Sequence, residues 1–531
     1  MYRTLIKNAT VIDGTGGKPL HSDILIDGET IIETGKIHEN IDVNEKIDAD
    51  GLILSPGFID AHTHAELSLL NNRQQPGAVT QGITTMIMGL CGLGLAPLKD
   101  SERENTLKFN TGIFGQCLPY KCEWKSFGEF LQQYEGCAPN VGSAVTYNAI
   151  RVNTLGFEDV HPSSKQIDQM VDDVKTAMEQ GAVGLSVGLT YYPQAYSMPC
   201  EVEALCRAVK EYNGLFMVHM RNFYDQILWD PSQEIIDIVK NTGVRTHMLH
   251  YRTGSTNAGK TEEMLRPFMQ LIEQGYDISF EFYPYFTGAG HVLTYLPGWV
   301  QEGGYFDTIR RLKEPALRGK IIDGMLKRYQ VITPDDAGTF THLKNRTEYL
   351  GKDFRTVARI RKQNVPEMLI EVLIENDLEV GFKGIEETDP EIGKMLFDDM
   401  MHLIDFDFYT IGSDSIPAGR CCHPRTFGTF PRLIKMVREN RYPIEKFIHK
   451  ITQFSSSRFG LTDRGLIRKG MKADLVLFNY EKVKDNATFE HPRRSSSGFQ
   501  YVFVNGEIVV ENERVTGLTP GSIVKPWGQR S

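Results

Sequence analysis

One rhythm governs the middle of the chain: an amphipathic helix, a glycine, a short apolar strand, a polar loop, then the same again. "QIDQMVDDVKTAMEQG" ends at Gly181 and is followed by "AVGLSVGL". "EVEALCRAVKEYNG" is followed by "LFMVHMRN", "SQEIIDIVKNTG" by "VRTHMLHYRTG", and "RPFMQLIEQGY" by "DISFEFYPY". The helices carry apolar residues at three- and four-residue spacing, whereas the strands are apolar throughout. Strands buried on both faces and joined by helices pair in parallel. Repetition over roughly 400 residues points to an α/β fold of the TIM (β/α)8 barrel type rather than an open sheet.

The two ends of the chain read differently. "TLIKNATVIDGTG", "DILIDGETIIETG" and "KIDADGLILSPG" alternate apolar and polar residues between Asp-Gly and Thr-Gly turns. "KADLVLFN" and "YVFVNGEIVVENERVTG" repeat this style, with a hairpin signal at Asn505–Gly506. Residues 1–55 and 466–531 are therefore expected to pair into one small β domain, with the barrel at 56–465. Residues 286–345 are too long for an ordinary loop. They are expected either to form a lid over the active-site face or to pack against a neighbouring subunit, so an oligomer remains open.

A chain of 531 residues with 41% hydrophobic and 24% charged residues is ordinary for a globular protein. A net charge of −10 argues against a broad nucleic-acid surface. The longest apolar stretch, Ile83 to Leu98, is broken by glycines, so no membrane span is expected. "MYRTLIKNATVIDG" lacks a signal-peptide core. With eight cysteines and no such signal, reduced thiols and a cytoplasmic location are expected. Cys117 and Cys122 have the spacing of a metal pair, but no second pair stands nearby.

In a TIM barrel the chemistry sits where strands end. "PGFIDAHTH" ends in His62 and His64, which share one face of a strand because side chains alternate. Cys91 follows "TTMIMGL", His219 ends "LFMV", His250 ends "RTHML", and Asp414 follows "FYTIGS". Each has a bland alternative, as a small buried thiol or a hydrogen-bonded core histidine. Together, on several strands of one barrel, they suit a metal. Imidazoles with one thiolate favour zinc over magnesium or calcium. Zinc activates water, and a carboxylate beside it moves protons, so the set reads as metal-assisted hydrolysis. Arg252, Tyr283 and Arg425 fall on the same face. Guanidinium groups there suit a small anionic substrate unless each pairs with a protein carboxylate.

The chain resembles the amidohydrolase superfamily, and within it the D-aminoacylases (N-acyl-D-amino-acid deacylases). The resemblance runs over most of the chain, through "PGFIDAHTH", "LCGLGLAPL", "GAVGLSVGLTYYPQAYS", "EFYPY" and "GSDSIPAGRCCHPRTFGTFPR". It implies a zinc TIM barrel with a small β-sandwich built from both chain ends. It implies that Cys91, His219 and His250 hold a tightly bound zinc, with His62, His64 and Asp414 lining an adjacent position and Asp414 acting as acid and base. It further implies that Arg252, Tyr283 and Arg425 grip a substrate α-carboxylate. No lysine stands in "AVGLSVGL" to bridge two metals, so one or two ions are both open. Arg252 stands where relatives more often have lysine, and Tyr147–Asn148 where they have Gly-His. The activity implied is hydrolysis of N-acyl-D-amino acids. The rivals are a cyclic amide or D-residue dipeptide hydrolase on the same fold, and a non-catalytic scaffold.

Overall fold

The computed structural model describes residues 3–38, 41–116, 122–221, 231–329 and 338–526. Its centre is a closed barrel of eight parallel strands. Their order around the barrel is Phe58–Asp60, Ile83–Met88, the paired segments Asn140–Ser143 and Val145–Thr146, Gly184–Gly188, Leu215–His219, Arg245–Met248, Ile278–Phe282 and Tyr409–Ile411. Neighbours along this series pair in parallel, with Ser186 beside Met217 and Met217 beside His247. Val183 N donates to Ser143 O at 3.0 Å between the third and fourth strands. Ala61 N donates to Ile411 O at 3.0 Å and Asp414 N to His62 O at 2.8 Å, closing the eighth strand on the first. The eight strands are buried almost throughout, as their unbroken apolar pattern requires.

Both ends of the chain build a single nine-stranded sheet. Leu475–Phe478, from the C-terminal part, lies antiparallel to Ile53–Pro56, from the N-terminal part, with Val476 opposite Ser55. Ile6, Ile24, Ile47, Leu54, Leu475 and Phe503 meet in its core, giving the small β-sandwich beside the barrel.

Between the seventh and eighth barrel strands the chain leaves to build a separate unit. Ala289–His291, Val380–Lys383 and Thr339–Leu343 form a three-stranded sheet, covered by helices that include Gly304–Lys313 and Val365–Glu375. This unit has its own core, in which Phe340, Phe354 and Leu369 are buried. It extends past residue 345, because the central strand of its sheet is supplied by residues 380–383. None of the helices among the described residues is long and apolar enough to cross a membrane. Cys117 lies outside the described residues. Cys122 is disulfide-bonded, which departs from the expectation of reduced thiols, whereas Cys91, Cys137, Cys200, Cys206, Cys421 and Cys422 are free.

Candidate metal centre

The end of the first barrel strand delivers His62 and His64 to one spot. Their Nε2 atoms are 3.2 Å apart. Cys91, beyond the second strand, puts its Sγ 3.5 Å from His62 Nε2 and 3.5 Å from His250 Nε2. His219 Nδ1 lies 2.9 Å from His250 Nε2. Asp414 Oδ1 is 3.4 Å from both His62 Nε2 and His64 Nε2. All six residues that the sequence singles out for metal chemistry therefore meet at the C-terminal mouth of the barrel. Five of them fall into two overlapping triads, His62–His64–Cys91 and Cys91–His219–His250, which share the thiol, and Asp414 stands against the first.

The backbone at this mouth is unusual. Cys91, His250 and Asp414 have φ of 53°, 37° and 47°. Non-glycine residues rarely occupy this left-handed region, and each costs about 1–3 kcal/mol. Three of the six donors are thus held in conformations that only a well-determined surround maintains. Gly92, next to Cys91, shows how tight that surround is: a Cβ there would stand 1.9 Å from Gln194 Oε1 and 2.5 Å from Gly188 N.

Three buried carboxylates tie the strand ends together, and the sequence reading passed over all of them. Asp60 accepts from His62 N and Ser413 N, joining the first strand to the eighth just before Asp414. Glu66 Oε1 accepts from Gly89 N at 3.0 Å, joining the helix Glu66–Asn71 that follows the first strand to the loop that carries Cys91. Glu281 Oε1 accepts from His62 Nδ1 at 2.7 Å and from His250 N at 2.6 Å. For Asp60 and Glu281 the available signal was a lone acid in an apolar strand: a buried charge needs partners, so such a residue marks a junction; Glu66, at the start of a helix, carried no such signal.

The electrostatics suit ligation. Burial pushes His64 and His250 down and lowers His219 to about 3, leaving neutral imidazoles. His62 differs: burial works downward, but the carboxylates of Glu281 and then Asp414 outweigh it and raise its pKa well above the usual value. Burial likewise works upward on Asp414, yet Arg425 and then His62 hold its carboxyl well below the usual range. Burial lifts the Cys91 thiol to about 11. A bound cation reverses that cost, since coordination takes the thiolate. The donor set also passes a geometric test. With bonds of about 2.1 Å to nitrogen and 2.3 Å to sulfur, donors around a tetrahedral ion sit roughly 3.4–3.6 Å apart. The separations above, 2.9–3.5 Å, lie at or just inside those edges.

Arg252, Tyr283 and Arg425 also come together. The Arg252 and Arg425 guanidinium carbons lie 4.8 Å and 4.6 Å from the centre of the Tyr283 ring. Arg425 is fully buried, with Nη1 2.9 Å from Asp414 Oδ2. Its Nε and Nη2 find no hydrogen-bond partner among the described residues, and neither does Arg252 Nε. Guanidinium groups with buried, spare N–H donors beside a phenol are suited to hold an anion. Tyr147, one of the departures from the D-aminoacylase pattern, is fully buried and donates to Glu201 Oε2 at 2.7 Å.

The amidohydrolase family model matches residues 45–282 and 388–510. The chain belongs to the amidohydrolase family. The gap in the match falls on the separate unit described above. Relatives of this amidohydrolase match it almost end to end. The D-aminoacylase of Alcaligenes xylosoxydans xylosoxydans is 27% identical over 528 residues, covering 98% of this chain and 97% of its own. The N-acyl-D-aspartate deacylase of the same organism is 29% identical, covering 99% and 97%. A solved structure of D-aminoacylase, concerned with its binuclear metal center, matches with a TM-score of 0.80 at 25% identity, covering 99% of this chain and 100% of that one.

Proposed function

We propose that this amidohydrolase cleaves the amide bond of N-acyl-D-amino acids, releasing a carboxylate and a free D-amino acid, with zinc as its metal. The observation that carries the reading is the adjacency of two chemistries at one barrel mouth. A thiol–imidazole–carboxylate cluster stands there beside an Arg252–Tyr283–Arg425 stack, and Asp414 belongs to both. A scaffold without activity would need neither. Relatives named for D-aminoacylase and N-acyl-D-aspartate deacylase activity over nearly their full length support the same substrate class.

Zinc is favoured by ligand type, since one thiolate among imidazoles suits it. His62, His64, Cys91, His219, His250 and Asp414 would hold it. The shared thiol leaves room for one ion or two. When bound, zinc supplies Lewis-acid polarisation of the amide carbonyl and acidifies water. The chain's own residues do the rest. Arg425, Arg252 and the Tyr283 hydroxyl bind the α-carboxylate and orient the amide. Asp414, held ionised beside Arg425, takes the proton of the attacking water and returns it to the leaving nitrogen. Burial of the barrel mouth excludes bulk water from these steps. Selection of the D-enantiomer follows from anchoring the carboxylate while the side chain faces one wall. In the same proposal, residues 56–465 form the catalytic body, and residues 1–55 with 466–531 form its small β-sandwich.

The test is hydrolysis of a panel of N-acetyl-D- and N-acetyl-L-amino acids by zinc-loaded protein, with metal quantified on the same sample. Release of free amino acid from the D-members alone is expected. Zinc bound without turnover of any member would remove the deacylase reading, and absence of bound zinc would remove the metal reading.

A further inference from the structure

Glu281 touches both candidate triads without belonging to either. Its Oε1 accepts from His62 Nδ1, a member of the first triad, and from the backbone N–H of His250, a member of the second. The side chains of Glu281 and His62 are both fully buried, so water does not compete for the contact. The fold makes space for this carboxylate at visible cost: a Cβ on Gly412 would stand 1.7 Å from Glu281 Oε2, so only glycine fits there. His250, held by the same oxygen, has a φ of 37°. A donated backbone N–H is one of the few forces that keeps a histidine in that region.

We infer that Glu281 is a positioning residue that fixes His62 with its proton on Nδ1 and its Nε2 aimed at Cys91 and Asp414, and that pins the His250 turn, so that the two triads are aligned by one carboxylate. The inference rests on the metal reading above. The physical reason is that an imidazole offers a lone pair on one nitrogen only when the other keeps its proton. A carboxylate accepting from that second nitrogen both sets the tautomer and makes the ring a stronger donor. Here a single oxygen does this for a ring on the first strand while holding the backbone of the sixth. Loss of Glu281 therefore disturbs both triads at once, and the Glu281→Gln side chain, which presents an N–H₂ group of equal size, competes for the Nδ1 proton's place.

Two measurements test this on the full chain. The first is zinc affinity of metal-stripped wild type and Glu281→Gln, by competition with a chromogenic chelator. The second is the ¹⁵N spectrum of histidine-labelled, zinc-loaded wild type, with His62 assigned by the His62→Gln variant. Glu281→Gln should bind zinc about 10–100-fold more weakly, and His62 Nδ1 should carry a proton. Asp474→Asn, which removes a buried carboxylate paired with Arg464 far from the triads, should leave zinc affinity unchanged and serves as the control for general destabilisation. Equal zinc affinity in folded Glu281→Gln, or an unprotonated His62 Nδ1, would overturn the inference. If Glu281→Gln does not fold, the wild-type spectrum decides alone. Wild type that binds no zinc defeats the metal reading itself, an outcome distinct from either of these.

Discussion

The barrel mouth and the unit inserted between the seventh and eighth strands are built on opposite plans. At the mouth, the donors are polar and mostly buried, and several are held by a second polar group: His62 by Glu281, His64 by Asp414, the Cys91 loop by Glu66. In the inserted unit, the interior is aromatic and apolar. Phe340 and Phe354 lie 4.6 Å apart between ring centres, and Tyr295 and Phe382 5.1 Å apart. The mouth stores strain, with three donors at positive φ, whereas the inserted core gains from burial alone. One plan fixes atoms to a few tenths of an ångström, as ligation demands. The other makes a stable body that can vary in sequence while keeping its packing. The family match follows the same division, covering the barrel on both sides and skipping residues 283–387.

The contrast breaks most completely at Cys91, the residue common to both triads. Cys91→Ala should remove bound metal and turnover together, leaving background activity, because each triad loses a ligand that its histidines cannot replace. Thermal unfolding of the apo variant should change far less than activity does. Metal analysis alongside a turnover assay checks both; full activity with no metal would show that the mouth works by some other chemistry.

The same contrast is sharpened from the inserted side. Phe354 is 1% exposed and packs against Phe340, Phe382 and Tyr295. Phe354→Ala should cost about 3–5 kcal/mol of stability, read as a lower denaturation midpoint. Zinc content per folded chain should stay at the wild-type level. Loss of zinc from the folded variant would mean that the two regions are one cooperative body.

How much of this was legible from residues alone also divides along the same line. The six donors were readable because a strand's two-residue period and the helix–glycine–strand rhythm locate strand ends, and strand ends locate barrel chemistry. Arg252, Tyr283 and Arg425 were readable for the same reason. Glu281, Asp60 and Glu66 were not, because their partners are backbone N–H groups and side chains from other strands, which no local pattern contains. The inserted unit was seen as an interruption, but its extent was not. Its sheet joins residues 289–291 to 380–383, and a pairing across about ninety residues leaves no mark in a local window. His291 belongs to that same gap: buried, lowered to about 3 by burial and then by His64, and 5.7 Å from Tyr191 between ring centres, it brings the inserted unit up against the mouth.

The finest comparison lies within the Arg252–Tyr283–Arg425 stack, between its two arginines. Arg425 is fully buried and paired with Asp414, whereas Arg252 is only half-buried and makes no ion pair among the described residues. It lies over the Tyr283 ring face and donates to Thr253 O at 2.9 Å. Arg252→Lys keeps the charge and loses the planar fork and the stack. A stack of this kind is worth about 0.5–2 kcal/mol, so KM for an N-acyl-D-amino acid should rise roughly two- to thirtyfold. The value of kcat should hold, because the lost contact is made equally in the bound and the reacting substrate. Steady-state kinetics on the most active substrate of the panel separates the two parameters. A fall in kcat with unchanged KM would move Arg252 out of anion binding and into the reacting geometry. The two arginines would then divide the work, Arg425 anchoring through its burial and Arg252 acting on the amide itself.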